Sequence, residues 1–112
     1  MDDLDRQKKW DLRFLEMAKL IASYSKDPST KVGSVITDKE NRIISLGYNG
    51  FPRRISDNER LYNREKKLLI TIHAELNAIL NAMSNLENCT IYTWPFPACA
   101  SCAAAICQVG IS

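Results

Sequence analysis

"HAELNAILNAMSNLENCTIYTW", residues 73–94, divides into two halves with different periods. In the first half Leu76, Ile79, Leu80 and Met83 recur at steps of three and four, so a helix is expected over residues 73–84 with those four side chains buried. The second half, "CTIYTW" at 89–94, has the β-branched and aromatic composition of a strand. A helix followed by a strand is half of an α/β layer, and the rest of the chain must supply the strands it joins.

Those strands are legible upstream. "KVGSVIT" and "RIISLGY" flank the polar turn "DKEN" at 38–41 and read as a β-hairpin. Ahead of them, Trp10, Phe14, Met17, Ile21 and Tyr24 fall at steps of four and three, which predicts a helix from about residue 10 to 24 with that stripe in the core. Pro28 in "SKDPSTKVG" forbids the helix from continuing, so a strand begins near Lys31. Downstream, "PFPACASCAAAICQVG" turns through two prolines into a last helix with Gly110 as its stop signal. The order is helix, two antiparallel strands, helix, strand, helix. It predicts an α/β sandwich in which the third strand joins the hairpin's sheet.

A chain of 112 residues, 46% apolar and 25% charged, has room for a single domain over residues 1–112 and the composition of an ordinary soluble globular protein. Fifteen basic and thirteen acidic residues leave a net charge of +2, too mild to argue for a nucleic-acid or membrane partner. "MDDLDRQKKW" lacks the apolar segment of a secretory signal, and no later run reaches transmembrane length, so a cytoplasmic protein is expected. In that compartment four cysteines are thiols or metal ligands rather than disulfides.

Cys99 and Cys102 stand three apart at the start of the last helix, where both sulfurs can face one point and free backbone N–H groups favour thiolate. His73, the one histidine, opens the other helix and supplies a third donor; imidazole with thiolates is a zinc set, and three protein ligands leave the fourth position for water. Deep in a helix, side chains two residues apart diverge by roughly 200°. At the first turn His73 and Glu75 can flank one ion, His73 binding it and Glu75 moving the proton of the activated water. H-x-E followed by P-C-x-x-C is the signature of zinc deaminases. Here it stands as His73-Ala74-Glu75 and Pro97-Ala98-Cys99-Ala100-Ser101-Cys102, with Ala98 where the signature has proline.

"SKDPSTKVG", "RIISLGYNGFPR", "HAELNAILNA" and "FPACASCAAAICQVGI", in that order, resemble the deoxycytidylate (dCMP) deaminase family of the zinc-dependent cytidine/deoxycytidylate deaminases across nearly everything after Trp10. The resemblance implies a three-layer α/β/α sandwich with a central mixed sheet. It implies hydrolysis of dCMP to dUMP and ammonia, with zinc-bound hydroxide attacking C4 and Glu75 protonating N3 and then the leaving amine. Asn49 of "GYNG" would hydrogen-bond the deoxyribose, Lys26 and Asp27 would lie near the nucleotide, Ala74 would border it, and Trp94 and Phe96 would line the base pocket. It also implies a homohexamer activated by dCTP and inhibited by dTTP. Members of the family continue past "QVGI" with further strands, whereas this chain stops at Ser112. The last helix is apolar nearly all round, so it is expected to be buried on more than one side, through a missing segment or a neighbouring subunit.

Other readings stay open on residues alone. Zinc can be structural and closed, with Cys89 or Cys107 as fourth ligand, although Cys107 faces largely away from Cys102 and both suit an apolar packing role. Asn49 between glycines is also a turn residue with a left-handed backbone. Residues 53–67 carry six basic and three acidic side chains, which suit a solvated face, phosphate recognition or a subunit contact. Trp94 and Phe96 suit the core as well as a pocket. Beyond dCMP deamination, the alternatives are a deaminase of another free or nucleic-acid base and a non-catalytic nucleotide-binding zinc module.

Overall fold

A computed structural model describes residues 3–28, 30–50, 72–95 and 100–111. Helix α1 (Asp3–Ala22) leads to strands β1 (Gly33–Thr37) and β2 (Ile43–Tyr48), then helix α2 (Ala74–Asn81), strand β3 (Thr90–Trp94) and helix α3 (Ala100–Gln108). The strands form one sheet in the order β2-β1-β3, with both pairings antiparallel. The third strand thus joins the hairpin, as the order of elements predicts. The described strands contain no parallel pair, so the mixed character expected of the sheet is absent among them.

The buried strand β1 divides the core in two. Val35 faces α1, where Phe14, Ala18, Ile21 and Tyr92 close around it; Ile36 faces the other way, into Ala78, Leu86, Cys89 and Ile111. Two glycines let the helices approach. A Cβ at Gly33 would lie 2.5 Å from the backbone nitrogen of Ala22, and one at Gly47 would lie 2.5 Å from both the Ala74 carbonyl oxygen and the Ala78 nitrogen. Helix α1 therefore lies directly on one face and α2 on the other, giving an α/β/α sandwich.

This close packing corrects the expected core. The buried residues of α2 are Ala74, Glu75 and Ala78, and at the two alanines the helix backbone touches Gly47. Leu80, two residues past Ala78 and so on the opposite side, is 61% exposed; Met83 lies beyond the helix with φ of 54° and is 96% exposed. Leu76 and Ile79 are half-buried. In α1 the stripe from Trp10 to Ile21 packs as expected, but the helix begins at Asp3 and ends at Ala22. Ser23, Tyr24 and Ser25 then bond to carbonyls three residues back, which turns Tyr24 out of the core and edge-on against Tyr48. In α3 only the Cys102 side of the first turn is buried; Ala103, Ala104 and Cys107 are exposed, so the expectation of burial on several sides is not met within this chain.

Tyr92 ties β3 to α1. Its hydroxyl donates to Asp11 Oδ1, which also accepts from Gln7 Nε2 at 2.9 Å. Burial, and then the hydrogen bond and charge of Asp11, push the phenol up to about 12. A phenol raised above its ordinary value of about 10 keeps its proton in the folded protein after the unfolded chain has released its own, so stability is whole below pH about 10 and falls as pH rises toward about 12. Urea midpoints measured across that window are expected to drop steeply for the wild type. Tyr92→Phe, which removes the titrating group at a cost of about 1 kcal/mol near neutrality, is expected to give a flatter curve.

Candidate active site

The register brings the site residues to one end of the sheet. Gly33, the first residue of β1, is paired with Tyr48 and Trp94, the last residues of β2 and β3. Beyond Tyr48 the chain continues to Gly50, whose N–H donates to the Ile72 carbonyl (3.1 Å) and whose carbonyl accepts the Ile72 N–H (2.7 Å). Ile72 precedes His73, so this short bridge fixes where α2 begins. Asn77, one turn into α2, donates from Nδ2 to the Tyr48 carbonyl at 2.9 Å and fastens the same corner.

His73 is the N-cap of α2, with an extended backbone (φ −69°, ψ 154°) and no capping bond from its side chain. Because it lies outside the helix, the divergence of about 200° between residues two apart does not apply to it. Its Nδ1 stands 3.3 Å from Sγ of Cys102, in the first turn of α3. Two donors sharing one tetrahedral zinc, at bond lengths of about 2.0–2.1 Å to nitrogen and about 2.3 Å to sulfur, stand about 3.5 Å apart. The imidazole and the thiol are therefore spaced as a ligand pair, and their chemistry is that of a zinc site. Cys99 lies outside the described residues, as do Pro97, Ala98 and Phe96. Among the described residues no group of three histidine, cysteine or acidic side chains converges. Glu75 is only 4% exposed and occupies the first turn of α2, where the free N–H groups of the helix favour a carboxylate.

Asn49 and the segment before β1 form a closed network. Asn49 Oδ1 accepts the Val32 N–H at 2.9 Å, and Nδ2 donates to the Thr30 carbonyl at 2.9 Å and to Asp27 Oδ2 at 3.4 Å. Ser25 Oγ donates to the Asn49 carbonyl, and Asp27 Oδ1 accepts the Thr30 N–H. Asn49 has no positive φ, so its reading as a left-handed turn residue does not hold. Asp27 is buried within the network and Lys26 is exposed on it. Ser25, Thr30 and Asn77 are positions that sequence reasoning passed over. The Asp27 to Thr30 spacing, an Asx-type bond from side chain to backbone, is the signal that finds Thr30.

Trp94 and Ala74 both lie where a helix meets the sheet. Trp94 is paired with Gly33 on the α1 face of the sheet, packs against the Phe14 cluster and lies under Lys19 Nζ, 5.7 Å from its ring centre. It belongs to the core on the side opposite His73, because alternation along β3 sends Thr93, not Trp94, toward α2. Ala74 is fully buried at the start of α2, and its carbonyl oxygen is among the helix atoms nearest Gly47. Cys89 lies in the Ile36 cluster beside Thr90, which pairs with Thr37 at the far end of the sheet. Burial, and then the charge of Asp38, raise its thiol, so it packs as a small apolar residue. Cys107 is exposed. Residues 53–67 lie outside the described residues, and no described helix is long and apolar enough to cross a membrane.

Compared with known proteins, residues 8–112 match the cytidine and deoxycytidylate deaminase zinc-binding region. An uncharacterized deaminase from the luxG 3′ region of Aliivibrio fischeri is 56% identical over 93% of this chain and 69% of its own length. Human deoxycytidylate deaminase is 40% identical over 91% of this chain and 61% of its own. The chain thus spans about three fifths to two thirds of these relatives. The crystal structure of dCMP deaminase from the cyanophage S-TIM5, in complex with dCMP and dUMP, superposes over all of this chain and 79% of its own with a TM-score of 0.73 at 19% identity, a likeness of fold.

Proposed function

This chain belongs to the cytidine and deoxycytidylate deaminase zinc-binding family, and from that membership we propose that it hydrolyses dCMP to dUMP and ammonia. The observation that carries the reading is the 3.3 Å approach of His73 Nδ1 to Cys102 Sγ, with the buried carboxylate of Glu75 two residues along. The relatives named deoxycytidylate deaminase support dCMP as the substrate.

His73, Cys102 and Cys99 are the residues that would hold zinc. Bound there, zinc supplies Lewis acidity that lowers the pKa of a water toward neutrality. Glu75 receives the proton of the attacking water, passes it to N3 as the bond to C4 forms, and returns a proton to the amine as the C–N bond breaks; water is consumed and ammonia released. Burial in the first helical turn keeps the carboxylate close to the base and out of bulk water. The loop carrying Lys26 and Asp27 is assigned to the nucleotide, with the Lys26 ammonium toward phosphate. Family resemblance further supports a cytoplasmic homohexamer regulated by dCTP and dTTP.

Ammonia release from dCMP, CMP, deoxycytidine and cytidine by the zinc-loaded protein tests the reading. Preferential turnover of dCMP is expected. Zinc uptake without ammonia from any of the four would instead make the chain a binding module, and turnover confined to bases within nucleic acid would assign it another substrate.

A further inference from the structure

We propose that Asn77 is a positioning residue: its side-chain amide braces the end of β2 against the helix that His73 caps, and so fixes the spacing between the sugar-binding corner and the zinc ligand. The proposal rests on the substrate reading above, together with the family resemblance that sets Asn49, the residue after β2, against the deoxyribose. The Asn49 N–H points at β1 and donates to the Val32 carbonyl at 3.2 Å. In a trans peptide the carbonyl of the preceding residue points the opposite way, so the Tyr48 carbonyl faces away from β1. Strand β2 is at one edge of the sheet, and no described strand lies there to receive that oxygen. Asn77 Nδ2 receives it instead, at 2.9 Å.

The amide is oriented for this bond. Its Oδ1 accepts from Asn81 Nδ2 at 2.8 Å, one turn further along α2, which leaves its N–H groups for the strand. The Asn77 N–H donates to the His73 carbonyl at 2.9 Å, so the brace reaches the backbone of the zinc ligand in one step. A second side chain ties the same two elements in the other direction: Ser45 Oγ donates to the Ala78 carbonyl at 2.7 Å. Between the two bonds lies Gly47, against which the backbone at Ala74 and Ala78 packs. Ser45 and Gly47 seat the helix on the sheet, whereas the Asn77 bond holds the strand's last residue, which leads into Asn49 and the Gly50–Ile72 bridge. Without that bond the helix stays seated and the strand end is released. The expected defect is in substrate binding, with zinc and the chemical step retained.

Amide hydrogen exchange, zinc content and dCMP kinetics of the zinc-loaded chain provide the test. Asn77→Asp keeps the size of the side chain and an acceptor for Asn81, but it sets a carboxylate against the Tyr48 carbonyl oxygen. Exchange at Gly50 and Ile72, the two N–H groups of the bridge, is expected to accelerate by about tenfold. KM for dCMP is expected to rise by about tenfold, with kcat changed less than about threefold and zinc content unchanged. Asn77→Ala introduces the best helix former and no charge, so it keeps the test open if the acidic variant does not fold; the same pattern is expected, with KM raised about threefold. Ser45→Ala is the control for a general loosening of α2, with a lower urea midpoint and KM near the wild-type value. Unchanged exchange at Gly50 and Ile72 in both Asn77 variants overturns the proposal. So does faster exchange with KM unmoved. A KM raised as far in Ser45→Ala as in Asn77→Ala overturns it too, because any loosening of the helix would then have the same effect. A wild type inert toward dCMP removes the substrate reading, while the exchange response still decides whether Asn77 braces the corner.

Discussion

Glu75→Gln is expected to lower kcat for dCMP by about 10²–10⁴-fold, the range that a positioned general acid–base contributes. The amide keeps the size of the carboxylate and can occupy its buried place in the first turn of α2, but it cannot take a proton from water or return one to the departing amine. His73 and Cys102 are untouched, so zinc content by elemental analysis and dCMP affinity by calorimetry are expected to stay near wild type. That combination separates the shuttle from a structural part. Wild-type turnover in the variant would refute the shuttle, and loss of zinc together with turnover would instead make Glu75 a support for the ligands.

The largest expected effect on stability belongs to glycines in the sheet. Gly33→Ala would drive a methyl group to 2.5 Å from the Ala22 nitrogen and closer still to the Ala18 carbonyl oxygen, and Gly47→Ala would do the same against Ala74 and Ala78. All of these obstacles are helix backbone, which cannot rotate away as a flexible side chain can. Overpacking of this kind costs about 3 kcal/mol or more, a large share of the stability of a small domain. Urea midpoints are expected to fall sharply for both variants. Gly47→Ala should also weaken zinc binding in whatever fraction folds, because it moves the helix that His73 caps. Gly50→Ala is the control: a Cβ there meets no described atom within 4 Å and the backbone is not left-handed, so a shift within about 0.5 kcal/mol is expected. Equal midpoints for all three variants would show that the helices can back away from the sheet.

Much of the fold is written in local patterns. The polar turn at 38–41 is reinforced by Asp38, whose carboxylate accepts the N–H groups of Glu40 and Arg42 and pairs with the Arg42 guanidinium. The hydrogen bond from the Arg42 N–H is the chief cause holding that carboxyl below its usual range. Turn residues and strand alternation need only near neighbours, so the hairpin follows from sequence, whereas the register shift between Ile36 and Thr37 does not. The pairing of His73 with Glu75, and of Cys99 with Cys102, is likewise a matter of spacing along the chain.

By itself the sequence determined the order of helices and strands, the hairpin and the membership of a deaminase family, because each rests on periodicity or on short motifs. Only tertiary structure decided which side of each element met which partner. Apolar content marks Leu80 and Met83 for the core and Trp94 for core or pocket alike, but the approach of α2 to Gly47 turned Leu80 and Met83 outward, and the pleat of β3 turned Trp94 toward α1. The bonds of the Asn49 amide to Thr30, Val32 and Asp27 are likewise invisible in the sequence, because they form only when two separate segments meet. Contacts between segments far apart in the chain depend on how closely the layers pack, and that distance is a property of the assembled sandwich rather than of any one stretch.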